Sequence, residues 1–300
     1  MRRYVVTGGA GFIGSQLVEA LLAHGHDVVA IDCFVAYYDV ERKRDNARSF
    51  DVRELDLSEV QPDLEGVDGV FHLAAQPGTR SFGETFPEYL RHNVLASQRV
   101  FEAAARAGVR VVFASSSSVY GDAAVFPTTE EAATAPISPY GVTKLAAEHL
   151  AAAYAHGFGL DVVVLRYFNV YGPRQRPDMA FARIIDALIA DRPFPLHGAG
   201  DQSRSWTYVD DVVGATIAAM GSGDGIYNVA GDAEASLQDA IGLLEGFAGR
   251  KLVIQPLPEA PGDVHRTHAD TTRIRRDLGW QSSSSFTDGL RAQWDWASRP

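Results

Sequence analysis

The stretch T-G-G-A-G-F-I-G, Thr7 to Gly14, stands directly behind the apolar run Tyr4-Val5-Val6. Glycine has no Cβ, takes positive φ without strain, and lets backbone N–H groups at a helix N-terminus approach an anion. Gly8, Gly11 and Gly14 fall at G-x-x-G-x-x-G spacing, and Phe12, Ile13, Leu17, Leu21 and Leu22 continue as one apolar helix face. Strand, glycine turn and helix in that order predict a cradle for a diphosphate. Val28-Val29-Ala30-Ile31 reads as a second buried strand, and Asp32 at its end is placed to accept hydrogen bonds from an adenosine ribose. A 2′-phosphate would be repelled there, so the pattern selects NAD over NADP. The glycines alone fit any Gly-rich turn in a parallel-sheet protein; the strand, the helix and Asp32 in register narrow the reading.

The alternation continues. Gly69 to Leu73 is strand-like, Glu88 to Ala107 helical, Val109 to Ser115 a strand, Tyr140 to His156 helical, and Asp161 to Tyr167 another strand. Such repetition predicts an α/β fold, a doubly wound parallel Rossmann sheet with ligands at the carboxyl ends of its strands. After Asn169 the character changes to V-Y-G-P-R-Q-R-P-D-M, followed by a helix from Ala180 to Ala190. The expected division is therefore a dinucleotide-binding domain over 1–169 and a smaller C-terminal α/β substrate lobe over 170–300. The segment from Ser205 to Met220 reads as a strand and helix returning to the first domain, which about 205–230 rejoins, so the lobe is discontinuous. Ser282 to Ser285 is a short polar loop.

Lys+Arg 27 against Asp+Glu 38 gives a formal charge of -11, which argues against a nucleic-acid backbone or an anionic membrane as partner. An anionic ligand must then be met by local arginines. The single cysteine, Cys33, excludes an internal disulfide framework and fits a reducing cytosol. Arg2-Arg3 ahead of a short apolar run imitates a signal peptide, but Gly8-Gly9 break the run, so a cytoplasmic chain is expected. His265 and His268 lack a third metal ligand at matching spacing, and no metal is expected.

In S-P-Y-G-V-T-K, Tyr140 and Lys144 stand four apart and share a helix face. A tyrosine is a poor base at neutral pH unless a nearby ammonium and a positive nicotinamide stabilise its phenolate. Lys144 can also bond the nicotinamide ribose. An isolated Tyr-x-x-x-Lys is usually an exposed pair; here the serine run F-A-S-S-S-S-V-Y-G-D supplies context. Ser115, Ser116, Ser117 and Ser118 follow a strand, where a hydroxyl can bridge a substrate and Tyr140.

Taken with Asp56-Leu57, H-L-A-A-Q from His72 to Gln76, Asn93, and R-Y-F-N-V-Y-G-P from Arg166 to Pro173, these pieces make the resemblance plain. The chain resembles an extended short-chain dehydrogenase/reductase of the NAD-dependent nucleotide-sugar epimerase/dehydratase family over nearly its whole length. The resemblance implies Tyr140 as base, Lys144 as its partner and Ser116 as the third catalytic hydroxyl. It implies Phe12, Ile13, Asp56, Leu57, Leu73, Ala74, Ala75 and Tyr167 along the dinucleotide. Asn169, Ser117 and Ser118 are implied near the nucleotide-sugar, and a homodimer through the Glu88–Ala107 and Tyr140–His156 helices.

Dehydratases and UDP-glucuronate decarboxylases of this family typically carry acidic residues where Ser117-Ser118 stand, so simple 4-epimerisation is expected: Tyr140 takes the 4-hydroxyl proton, NAD takes and returns the hydride, and the 4-keto sugar turns over between. G-P-R-Q-R-P-D-M and Y-Y-D-V-E-R-K-R are similar to UDP-glucuronate 4-epimerases specifically. Arg176 is then the candidate for the sugar carboxylate, in a two-pronged geometry; a diphosphate or solvent role is its alternative. Arg204, Asp263 and Arg266 are the family-matched candidates for diphosphate and ribose. Ala260 departs from the arginine of many UDP-glucose 4-epimerases, which weakens but does not remove that assignment. A net NAD-consuming dehydrogenase and an inactive NAD-binding scaffold are the remaining alternatives.

Overall fold

The computed structural model describes residues 1–78, 83–258 and 264–299. Strands β1 (Arg3–Thr7), β2 (Asp27–Asp32), β3 (Val52–Glu54), β4 (Gly69–His72), β5 (Arg110–Ser116) and β6 (Val162–Tyr167) share one sheet with a seventh strand, Gly225–Val229. The order is seventh strand, β6, β5, β4, β1, β2, β3, and every pairing is parallel. A parallel sheet is covered on both faces, which is why its strands read as unbroken apolar runs such as VVVL. Successive residues face opposite cores. Val6 and Val112 join Leu17, Phe71 and Val212 on one side, while Val5 and Val111 join Phe101, Phe113 and Ala147 on the other. Strand order reverses beside β1, so the carboxyl ends of β1 and β4 open the crevice in which a ligand of such a sheet sits.

The predicted strands of the first half are present within a residue or two of their expected bounds. The predicted helix from Glu88 to Ala107 is composite: Phe86–Tyr89 is α-helical, Leu90–Leu95 is a π-helical stretch, and Ala96–Ala107 is α-helical again. In the wide stretch Asn93 accepts from the Gln76 N–H (2.7 Å) and donates to the Gln76 carbonyl (3.1 Å) and the Thr143 hydroxyl (3.0 Å). Single π turns of this kind are frequent at functional sites. Ser205 to Met220 resolves into the ends of two short strands, Ser203–Ser205 and Thr207–Tyr208, and the helix Val209–Gly221.

A third core gathers Phe181, Ile185, Leu188, Leu244 and Leu290 from the helices Ala180–Ala190, Leu237–Ala248 and Phe286–Ala297. The predicted serine loop is pinned rather than loose, because Ser282, Ser283 and Ser284 donate to the Asp211 carboxylate. Among the described residues no helix is long and apolar enough to cross a membrane.

Candidate active site

The glycine turn caps helix α1 (Phe12–Ala23) through Gly11. Gly8 has φ +69°, and a Cβ there would lie 2.8 Å from the Ala74 nitrogen; a Cβ on Gly14 would run into the Gly8 carbonyl oxygen. Side chains are excluded so that β1, α1 and the end of β4 can close around one cavity. That cavity is lined by Gly8, Gly11, Phe12, Ile13, Gly14, Asp32, Leu57, Leu73, Ala74, Ala75, Tyr140, Lys144 and Tyr167. The sequence-predicted dinucleotide residues are therefore brought together, Asp56 excepted.

Several details were not legible beforehand. Asp32 is 7% exposed, accepts from the Phe34 (2.8 Å) and Ala10 (3.3 Å) nitrogens, and faces Lys43 at 3.7 Å. Asp56 sits beside the cavity, bonded by Ser58 and by Arg91 (2.8 Å). Burial raises its carboxyl, but the Ser58 hydrogen bonds outweigh that and hold it below the usual range. Cys33, Asp56 and His92 bring a thiol, a carboxylate and an imidazole within 4.8 Å of one another, although Glu88 (3.2 Å) already faces the imidazole. Tyr167 lends its ring to the cavity while its hydroxyl turns to Thr216 (2.7 Å).

A buried chain of hydrogen bonds fixes the end of β4. Ser97 donates its proton to the Asn93 carbonyl (2.6 Å), so its oxygen accepts from His72 Nε2 (3.0 Å), and His72 Nδ1 accepts from Thr7 (2.7 Å). Burial pushes the His72 imidazole down to about 3, so it stays neutral. The Thr7 hydroxyl in turn accepts from the Ala74 nitrogen (3.1 Å). Gln76, missed as a site residue, lines the same cavity, and its Oε1 is buried without a hydrogen-bond partner among the described residues. An unpaired buried acceptor costs about 1–3 kcal/mol, which a ligand donor would offset.

The Pro139–Phe158 helix is started by Ser138, whose side chain accepts from the Gly141 nitrogen (3.1 Å), with Pro139 at its first position. It delivers Tyr140 and Lys144 to the cavity on one face. Lys144 Nζ donates to the Ala114 carbonyl (2.8 Å) and lies 5.9 Å from the centre of the Tyr140 ring. Burial lowers the ammonium to about 8, against the pull of the Glu148 carboxylate. For Tyr140, burial raises the phenol, while the Arg176 guanidinium and a hydrogen bond with Ser116 pull it down. Besides Lys144, the Arg176 guanidinium also favours the phenolate, a contribution the sequence reading did not anticipate. The ammonium is turned toward the end of β5. The Ser116 hydroxyl also donates to the Ser118 hydroxyl oxygen (3.0 Å) and accepts from the Ser118 nitrogen (3.2 Å), and Ser117–Val119 form a short 3-10 turn beside it.

G-P-R-Q-R-P offers two arginines, and backbone geometry separates them. Arg174, at φ +64°, turns back to α1 and pairs with Glu19 (2.9 Å). Gln175 is buried against Val170 and Gln293. Arg176 emerges into the cavity beside Tyr37, Tyr38 and Tyr140. Asp178 holds its guanidinium by Nε and one terminal nitrogen, both at 3.1 Å, and Tyr37 donates to the same carboxylate (3.4 Å). Asp178 occupies one guanidinium edge, and no bond to the other is made among the described residues.

Among the described substrate candidates, Asn169, Arg204 and Arg266 lie outside the lining of that cavity. Asn169, at φ +34°, donates to Thr267 (2.8 Å). Arg204 donates to the carbonyls of Ser203 (2.9 Å) and Val264. Arg266 is exposed and paired with both oxygens of Glu234 (2.7 and 2.8 Å). These three gather around the short strands Ser203–Ser205 and Arg266–Thr267, which pair in parallel. Asp263 and Ala260 lie outside the described residues.

The arrangement can bind an elongated anionic ligand and remove a proton at its inner end. Comparison with known proteins gives the same picture. Residues 4–230 match the NAD dependent epimerase/dehydratase family. The chain is 39% identical to an uncharacterised UDP-glucose epimerase of Bacillus subtilis, with 96% of this chain and 95% of that one covered. It is 34% identical to the UDP-glucuronate 4-epimerase of Thermodesulfobacterium geofontis over 99% of this chain and 96% of that one. In structure it is similar to the Bacillus cereus UDP-glucuronic acid 4-epimerase crystallised with UDP-glucuronic acid and NAD, at a TM-score of 0.92, 38% identity and 98% coverage of both chains. With cradle, tyrosine–lysine helix and full-length likeness agreeing, the chain belongs to the NAD dependent epimerase/dehydratase family.

Proposed function

We propose that this chain is an NAD-dependent UDP-sugar 4-epimerase acting on UDP-glucuronate, with UDP-galacturonate as product. The glycine cradle, Asp32 and the unpaired Gln76 oxygen fit a dinucleotide, with Gly8, Gly11 and Gly14 at its diphosphate and Asp32 at its ribose. When bound, NAD supplies a reversible acceptor and donor of two electrons at C4. The chain's own groups do the rest. Tyr140 removes and later returns the 4-hydroxyl proton, Ser116 bridges that hydroxyl and the phenol, and Lys144 orients the ribose. Asn169, Arg204 and Arg266 hold the nucleotide end, and Ser117 and Ser118 line the sugar.

The observation that carries the sugar assignment is Arg176. Its guanidinium lines the same cavity as Tyr140 and favours the phenolate, which supports a place at the reacting end. A carboxylate gripped there is kept out of line with the carbonyl of the 4-keto intermediate, a β-keto acid that otherwise loses carbon dioxide. UDP-glucose is the second reading, favoured by Asp178, which already balances the Arg176 charge. Removing the guanidinium separates them. Compared on the pH plateau, Arg176→Ala should lose roughly ten- to a hundredfold in kcat/KM on UDP-glucuronate, the scale of a charge-assisted hydrogen bond, and leak a pentose product while UDP-glucose turnover changes little. Equal losses on both sugars without decarboxylation would assign Arg176 to the diphosphate.

Residues 1–169 with about 205–230 are read as the NAD-binding domain and the rest of 170–300 as the substrate lobe. A cytoplasmic homodimer completes the proposal. Exposed Leu90 and Leu95 on one helix and Val142 on the neighbouring one, each more than 40% accessible, supply an apolar face for a second copy.

A further inference from the structure

Tyr140, Lys144 and Glu148 follow at one-turn intervals on the Pro139–Phe158 helix. The carboxyl end of β5 meets them with three consecutive residues. The Ala114 carbonyl accepts from Lys144 (2.8 Å), the Ser115 hydroxyl donates to Glu148, and Ser116 bonds Tyr140. Glu148 is 5% exposed and is held by Arg166, itself 3% exposed, through Nε (3.0 Å) and a terminal nitrogen (2.6 Å). Arg166 reaches on to the Tyr120 hydroxyl (2.8 Å), which donates to Asn228 on the seventh strand (2.7 Å). An ion pair this buried adds little over apolar residues of equal volume, whereas losing one partner is costly.

We propose that Glu148, fixed by Arg166, is a positioning residue of the active site: it sets the register of the catalytic helix on the end of β5 and supplies the negative charge opposite the buried Lys144 ammonium. This rests on Tyr140 and Lys144 being the base and its partner. The sign follows from the groups around Lys144. Its own helix presents Tyr140 and Glu148, β4 presents His72, which burial keeps neutral, and the one ionisable side chain of β5, Arg110, stands at the strand's other end, paired with Asp161. Arg166 from β6 faces Glu148, and Arg176 faces Tyr140. Among the described residues Glu148 is the group that favours the ammonium, which burial otherwise lowers. Without it, Lys144 deprotonates at lower pH.

The test is the paired variant Glu148→Leu with Arg166→Met, which leaves no unpaired buried charge. Thermal unfolding, NAD content, and kcat and KM for UDP-glucuronate would be read across pH. The paired variant should fold and keep NAD, with KM nearly unchanged, kcat lowered roughly tenfold or more by misplacement, and the alkaline limb of kcat moved down by roughly one pH unit. A folded variant with native kcat and an unmoved limb overturns the proposal, as does a loss confined to KM. Should the pair fail to fold, Ser115→Ala removes only the strand-to-helix bond. It should lower kcat severalfold at constant KM, and native kcat there overturns the register role. Near-native turnover by Tyr140→Phe would instead overturn the reading of the base, leaving Glu148 out of account.

Discussion

Around Tyr140 two opposed requirements meet: a phenol sheltered from water is harder to ionise, yet it must ionise to take a proton. Burial prevails and holds the phenol above its ordinary value, with the Arg176 guanidinium and the Ser116 hydroxyl opposing it. Tyr140→Phe should therefore lower epimerisation by roughly a hundredfold or more, while denaturation of the purified variant releases as much NAD as the wild type does. Arg176→Ala should have a second signature on any sugar. The cation favours the phenolate, so its loss raises the phenol further, and the acid limb of kcat moves to higher pH. An unmoved limb would mean that the guanidinium does not face the phenol in the working enzyme. The tyrosine and lysine were legible because helical spacing alone puts them on one face. Arg176 was singled out only through the family resemblance; the left-handed backbone at Arg174 that separates the two arginines is dictated by nothing local in the sequence.

At the scale of elements, the first turn is the best specified part of the chain. Gly14 packs against the Gly8 carbonyl so closely that a methyl group has no room. Gly14→Ala should destabilise the protein by about 1–3 kcal/mol through overpacking and strip NAD from it, measured by thermal unfolding with and without added cofactor. Wild-type melting with full NAD content would show that the cradle is not where the diphosphate lies. Strands with consecutive valines and helices with a continuous apolar face were legible for the same reason, burial against a two-faced sheet. Helix α2 (Val40–Asn46) and β3 were not. The sequence VERKRDN carries no apolar stripe, and a three-residue strand has no period to read. The π-helical turn at Leu90–Leu95 was equally hidden, because it is tied to Asn93 reaching across to Gln76, a contact between segments distant in sequence. The Glu148–Arg166 pair belongs to the same class, as its two ends come from a helix and a strand that meet only after folding.

For the whole molecule, the apolar residues left at the surface of the two long helices carry the expectation of a dimer. Leu95→Asp combined with Val142→Asp places charge in that face and should give monomers by sedimentation velocity that still hold NAD. An unchanged sedimentation coefficient, dimeric or monomeric, would remove this face from consideration. Parallel architecture was legible from the alternation of strands and helices, whereas the edge position of Gly225–Val229 was only partly so, as a return of the chain toward the first domain.

That edge strand has a consequence during synthesis. When β6 leaves the ribosome, its main-chain groups and the apolar run VVVLRY have no neighbour on one side, and the partner is still about 60 residues away. At about 5–20 residues per second the nascent chain carries an open, sticky sheet edge for several seconds. Such an edge is a template for pairing with another chain. A fragment ending at residue 169 should therefore accumulate in inclusion bodies, whereas one extended through residue 230 should partition into the soluble fraction. Equal solubility of the two would show that β6 does not need its last neighbour. The enzyme's yield in a cell is then set as much by what shields β6 in those seconds as by the stability of the finished fold.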